Sequence, residues 1–165
     1  MAGEAALTKI KLRVKSWLDG GAIGATTEID RPFDRSFGDD ELETPVVNIR
    51  CPRTNYELQG YSNAWMHEAQ LMFDIVTRSS TLSTIDDRQS LVAAKIVARL
   101  AARNPSQSGT IGECLIFCDP VAMGDSSEEG NMSDHGVMTL AYRMVWLTPT
   151  NDFITIIGTS GQTIT

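Results

Sequence analysis

Apolar positions change period along the chain, and each change marks an element. Leu7, Ile10, Val14, Trp17 and Leu18 recur at helical spacing, with Lys9, Lys11, Arg13 and Lys15 mostly on the other side. This predicts an amphipathic helix of about four turns, ended by Gly20 and Gly21. The basic residues read first as a solvated face and second as a surface for an acidic partner. From residue 22 to 44 the pattern dissolves into a long loop with Gly24, Pro32, Gly38 and the acidic run Asp39-Asp40-Glu41. Phe33 and Phe37 stand out there: two aromatics in a polar loop either fold back on the core or insert into a neighbour. A loop above about 15 residues is unusual unless it has a role.

Beyond the loop the period drops to two. Val46, Val47 and Ile49 predict a short strand closed by Pro52. Trp65, His67, Ala69, Leu71, Phe73 and Ile75 alternate with Met66, Glu68, Gln70, Met72, Asp74 and Val76, which predicts a long strand with one largely apolar face. The polar stretch 53–63 joins these strands as a hairpin arm carrying Tyr56, Leu58 and Tyr61. Helical spacing returns from Ile85 to Arg103, with Ile85, Val92, Ile96 and Leu100 on one stripe flanked by Leu91. Thr84 and Asp87 resemble a capping box, and Asn104-Pro105 stops the helix. Residues 113–118 and 137–147 read as two further strands, separated by a polar, acidic insertion from Asp119 to Gly136. After Pro149 the tail holds Phe153-Ile154-Thr155-Ile156-Ile157, an apolar run that reads as an extra strand, first as one that pairs with another chain's edge and second as one added to its own sheet.

The expected fold class follows from this order. It is α+β: a single mainly antiparallel or mixed sheet of about four strands, two helices packed on one face, and a hairpin arm. Residues 1–148 form one domain and residues 149–165 a C-terminal extension. A chain of 165 residues, 42% hydrophobic and 21% charged, fits one soluble globular domain.

Charge and candidate chemistry narrow the function. Fourteen Lys and Arg against 21 Asp and Glu give a net charge of −7, which disfavours a phosphate backbone as primary ligand. No apolar run approaches the roughly 20 residues of a membrane span, and Met1 to Ala6 lacks the order of a signal peptide. The three cysteines read as reduced thiols. On one strand Cys114 and Cys118 would stand about 13 Å apart, beyond the roughly 7 Å a disulfide tolerates. His67 and His135 have no Cys, His or Asp partner at zinc spacing, so no metal or cofactor is expected. Gly20 to Gly24 follows a helix and lacks a phosphate loop's Lys-Ser/Thr ending, and no Gly-x-Ser-x-Gly elbow occurs. The insertion 125–134 lacks the alternating ligands of a calcium loop. No catalytic residue is expected, and the chain reads as a building block that works by contacts.

The order of these elements resembles the tail terminator proteins of tailed bacteriophages, the lambda-like minor tail protein family. The signatures are Glu43-Thr44-Pro45-Val46-Val47-Asn48-Ile49 after an amphipathic helix and loop, the long alternating strand, the helix Asp87 to Leu100, and a strand like Val137 to Leu147. The likeness covers roughly residues 5 to 148. It departs from the family in the longer acidic insertion 119–136 and in residues 149–165. The resemblance implies a non-enzymatic virion protein, assembled in the host bacterial cytoplasm as a homohexameric ring. Such a ring caps the tail tube at its final length and then joins tail to head. Implied partners are further copies of itself, the tail tube protein and a head-tail connector or neck protein, with genomic DNA passing the lumen without specific binding. The residues expected at these contacts are Phe33, Phe37, Tyr56, Leu58, Tyr61, Phe153, Ile154 and Ile156. Alternatives are another neck component, such as a connector or tail completion protein, and a small α+β ligand-binding domain or enzyme.

Overall fold

The structure is a computed structural model. It describes residues 6–20, 22–31, 44–52, 54–59, 64–78, 82–101, 117–125, 135–152, 155–157 and 163–164. Two helices, α1 (Ala6–Asp19) and α2 (Leu82–Ala101), lie on one face of a mixed sheet. Its strands are β1 (Thr26–Ile29), β2 (Val46–Arg50), β3 (Thr54–Gln59), β4 (Ala64–Arg78), β5 (Phe117–Asp125), β6 (His135–Pro149), β7 (Ile156–Ile157) and β8 (Thr163–Ile164). The expected α+β class is therefore what the chain adopts.

The sheet is built around one long ribbon. β4 and β6 are each 15 residues and pair antiparallel over their whole length, from Ala64↔Pro149 to Arg78↔His135. At about 3.4 Å per residue this ribbon is roughly 50 Å long. Shorter strands share its two sides. β3 and then β2 run along β4, while β5 and then β7 run along β6. The body of the sheet is thus four lanes wide. β1 adds a parallel edge beyond β2, and β8 an edge beyond β7.

Period-two alternation decides which face is buried. Ala69, Leu71, Phe73 and Ile75 of β4 share a face with Met138, Leu140, Tyr142, Met144 and Trp146 of β6 and with Val47 and Ile49 of β2. Against them pack Ile10, Val14, Trp17 and Leu18 of α1 and Val92, Ala93, Ile96 and Leu100 of α2. Phe73 meets Tyr142 edge-on, with ring centroids 5.9 Å apart. Burying side chains of this size contributes about 1.5–3 kcal/mol each. Gln89, also fully buried, ties α2 to the sheet by donating from Nε2 to the Ile75 carbonyl at 3.2 Å.

The opposite face is held by polar groups. Asp74, with no solvent exposure, accepts from Arg50 Nε, from Arg50 Nη2 at 3.2 Å and from the Thr139 hydroxyl at 2.6 Å, so one carboxylate joins β2, β4 and β6. Val46, Val76 and Val137 form a small apolar cluster beside it. Glu68 and Arg143 make a bidentate pair at 2.9 Å across β4 and β6.

Several elements differ from the sequence expectation. The stretch read as one loop from 22 to 44 contains β1. Its four residues, three of them polar, show no helical or alternating pattern, and its strand geometry comes from pairing with β2, Thr26↔Val46 through Ile29↔Ile49. Asn48 then takes over where the ladder ends. Its Oδ1 accepts from Arg31 N at 2.9 Å and its Nδ2 donates to the Arg31 carbonyl at 3.0 Å, as a backbone partner would. Asp30, at the turn out of β1, has φ 51°, a left-handed conformation that Asp tolerates. α2 starts at Leu82, so Thr84 lies inside its first turn rather than capping it.

β5 was expected at 113–118 but spans Phe117–Asp125, and residues 113–116 lie outside the described residues. The first seven residues of the expected acidic insertion are therefore strand. Pro120 disguised them, since proline cannot donate to a ladder. Here it sits at a register shift between Pro120 and Ala122, the kind of bulge that accommodates it.

Candidate functional site

Three of the eight residues expected at contacts lie among the described residues. Tyr56 and Leu58 lie on β3, in register with His67 and Trp65 of β4, so the polar stretch does form an arm strand beside the long ribbon. Phe33, Phe37, Tyr61, Phe153 and Ile154 lie outside the described residues. Ile156 is 1% exposed and belongs to the main core. β7 reaches that position by pairing Leu147 with Ile157, so residues 156–157 extend the chain's own sheet, with β8 beyond them.

The helical layer presents the surface that the sequence reading passed over. α1 buries Ala6, Ile10, Val14, Trp17 and Leu18 but leaves Leu12 41% exposed. α2 buries Gln89, Val92, Ala93, Ile96 and Leu100, yet Leu91 is 58% and Val97 37% exposed. Leu91, Ala94, Val97, Ala98 and Ala101 are all on the outer side of α2. From Leu91 to Ala101 this outer line carries no charge, which is unusual for a surface helix. A signal was available: Leu91 falls beside, not on, the Val92-Ile96-Leu100 stripe.

Where the helices' C-terminal ends meet, Arg13, Ser16, Trp17, Gly20 and Arg99 line an open hollow of about 470 Å³. The Arg99 guanidinium lies 4.9 Å over the Trp17 ring and donates to the Trp17 carbonyl from Nε at 3.4 Å and Nη2 at 3.3 Å. It thus satisfies a carbonyl in the last turn of α1, where cations are favoured. Gly20 N donates to Ser16 O at 3.2 Å and closes that turn.

Other ionisable groups are engaged structurally. Lys11, expected on the solvated side of α1, is 7% exposed and pairs with Asp30, tying α1 to the turn after β1. Lys15 bonds Asp19 at 2.7 Å and the Thr27 hydroxyl at 3.0 Å. Partial burial alone would raise the Asp19 carboxyl, but hydrogen bonds from Lys15 and Thr27 and the Lys15 charge outweigh it and leave it below its usual value. Hydrogen bonding to Asp74 raises the Arg50 guanidinium above its ordinary pKa. The Arg143 hydrogen bonds hold Glu68 low.

His67 is 2% exposed, stacked on Trp146 at 5.0 Å with planes 11° apart, and its Nε2 lies 2.7 Å from the Thr148 hydroxyl. Burial lowers its pKa, so it is a neutral core histidine. Cys51 is a free thiol that burial pushes up to about 12, which makes it a poor nucleophile. Among the described residues no three His, Cys, Asp or Glu side chains cluster as a metal site would need, and no helix is long and apolar enough to cross a membrane.

No protein-family model matches this chain, and no curated protein is significantly similar to it. Among solved structures, it is similar to a chain of the virion of a native gene transfer agent (GTA) particle. The identity is 12% and the TM-score 0.45, over 86% of this chain and 90% of that one. A likeness of that degree carries no functional argument.

Proposed function

We propose that the chain is a structural virion protein of a tailed phage or phage-like particle. More specifically, we read it as a ring-forming tail terminator that caps the tail tube and contributes to the head-tail neck. The observation that carries this reading is the order of elements. An amphipathic helix, a loop, the Thr44-to-Ile49 strand, a long alternating strand, a helix and a closing strand follow one another as in that family. Here they build two helices on one face of a mixed sheet.

Two physical features support an assembly role over a site of chemistry. The outer face of α2 exposes apolar side chains that a lone subunit has no use for. The long ribbon, flanked by short edge strands, offers the two different patches that a closed ring of head-to-tail contacts requires. The test is genetic and visual. Deleting the gene should give particles whose tails, in negative stain, are abnormally long and lack heads. Tails of normal length that fail only at head joining would instead assign the protein to another neck position.

A further inference from the structure

The hollow between the C-terminal ends of the two helices gathers cations. Arg13, Ser16 and Gly20 are spaced i, i+3, i+7 along one side of α1 and its end, and Trp17 and Arg99 complete the lining. These residues bring two guanidiniums, a hydroxyl and an indole, and no carboxylate is among the described residues that line it. That reverses the balance of a chain with 21 Asp and Glu against 14 Lys and Arg. Asp19, the nearest acid in the sequence, is engaged elsewhere, with Lys15 at 2.7 Å and with the Thr27 hydroxyl of β1.

Arg99 is held in place before any ligand arrives. Its guanidinium lies 4.9 Å over the Trp17 ring, and its Nε and Nη2 donate to the Trp17 carbonyl. A fork fixed in this way has already lost the rotamer freedom that binding would otherwise cost. Its Nη1 has no hydrogen-bond partner among the described residues. Gly20 keeps that guanidinium uncovered. A Cβ there would stand 3.9 Å from Arg99 Nη2, 3.6 Å from the Ser16 carbonyl and 3.8 Å from the Trp17 carbonyl, all ordinary contacts. Among the described glycines the positive φ belongs to Gly24, so the backbone at residue 20 does not itself require glycine.

We propose that this hollow binds a carboxylate, with Arg13 and Arg99 donating to its oxygens and the Ser16 hydroxyl as a further donor. A guanidinium fork matches a planar carboxylate. The hollow sits at the end of α1, where the helix dipole is negative. That offsets part of the cationic field and favours a singly charged ligand over a phosphate dianion. The net charge of −7 works in the same direction against a polyanion. A small free acid and an acidic side chain of a docked protein would make the same contacts. The proposal is independent of the ring reading above, and either can fail while the other holds.

The test follows thermal unfolding of the full chain by circular dichroism. The probes are glutarate, a Gly-Glu-Gly peptide blocked at both ends, inorganic phosphate, and NaCl at matched ionic strength. A ligand that binds only the folded state raises the Tm saturably. Glutarate should do so beyond NaCl and at lower concentration than phosphate. Arg13→Gln should weaken the glutarate effect about tenfold, the worth of one charge-assisted hydrogen bond. Gly20→Leu should abolish it by filling the hollow with no change of charge. Arg99 is kept, because it also satisfies the Trp17 carbonyl. Both variants should fold, and if Gly20→Leu does not, Arg13→Gln decides alone. A peptide effect equal to that of glutarate would support the site and assign its carboxylate to a docked protein; an effect of glutarate alone would support it as a site for a free acid. A glutarate effect no larger than that of NaCl, or one that both variants retain, would overturn the proposal. Tighter binding of phosphate would overturn the choice of carboxylate.

Discussion

Replacing Arg50 by Leu should destabilise the fold more than replacing Asp74, its buried partner. Asp74 has no solvent exposure and takes its hydrogen bonds from Arg50 and Thr139. Without Arg50 the carboxylate keeps the Thr139 hydroxyl, 2.6 Å away, but loses its cation in a place water does not reach. Stranding a buried charge in this way costs about 3–5 kcal/mol. The reverse change, Asp74→Leu, leaves a guanidinium that is 30% exposed. Its flexible stem can lift it into water, so the loss is about 1–3 kcal/mol, that of the charge-assisted hydrogen bonds. The double variant Arg50→Leu/Asp74→Leu strands nothing and should cost less than the sum of the singles, with a coupling of about 2 kcal/mol. Urea unfolding followed by circular dichroism measures all four corners of the cycle. For a chain of this size, Arg50→Leu should also lower the Tm by about 6–20 °C. If the two single costs simply add, or if Arg50→Leu costs under about 1 kcal/mol, the pair is a solvent-equilibrated surface contact and the account of the second sheet face is wrong.

Ile96→Ala should cost about 2–5 kcal/mol in the same unfolding assay, because Ile96 is fully buried between α2 and the sheet; Ile96→Asp should prevent folding through an unpaired buried charge. His67 makes stability fall in mild acid. The unfolded chain protonates this imidazole near pH 6.5, whereas burial keeps the folded one neutral to lower pH. The unfolded state therefore binds more protons below about pH 6.5, and stability drops by up to about 1.4 kcal/mol per pH unit until the folded pKa is reached. His67→Gln should flatten that slope, and an unchanged slope would show that another group sets it. Cys51 should react with a thiol reagent far more slowly in the native protein at pH 8 than in urea, since its pKa is pushed up to about 12; equal rates would place the thiol at the surface.

What was legible in the sequence was whatever carries its own period. β4 announced itself because one of its faces is apolar at every second position from Ala69 to Ile75, and α2 because Val92, Ile96 and Leu100 must be buried together. The illegible parts are those whose structure is dictated by a partner. β1 is four residues, mostly polar, that are a strand because β2 lies alongside. β5 contains a proline that only a bulge makes acceptable. Lys11 looked like one more solvated lysine because nothing local reveals Asp30, whose left-handed turn brings its carboxylate back to α1. The contact residues fared likewise. An apolar run such as 153–157 shows that something must cover it but not whether the cover is its own sheet, and Ile156 turned out to be core. Leu91 gave the opposite signal, an apolar residue off the buried stripe, and it marks the most exposed large apolar side chain among the described residues.

The central claim, that this chain is a ring-forming subunit, is tested most directly by imaging the purified full-length protein in negative stain at concentrations where light scattering detects assembly. The account predicts closed rings of uniform diameter with six-fold class averages and a central opening. A protein that remains a monodisperse monomer at every concentration, or that forms only two-fold dimers, would contradict it.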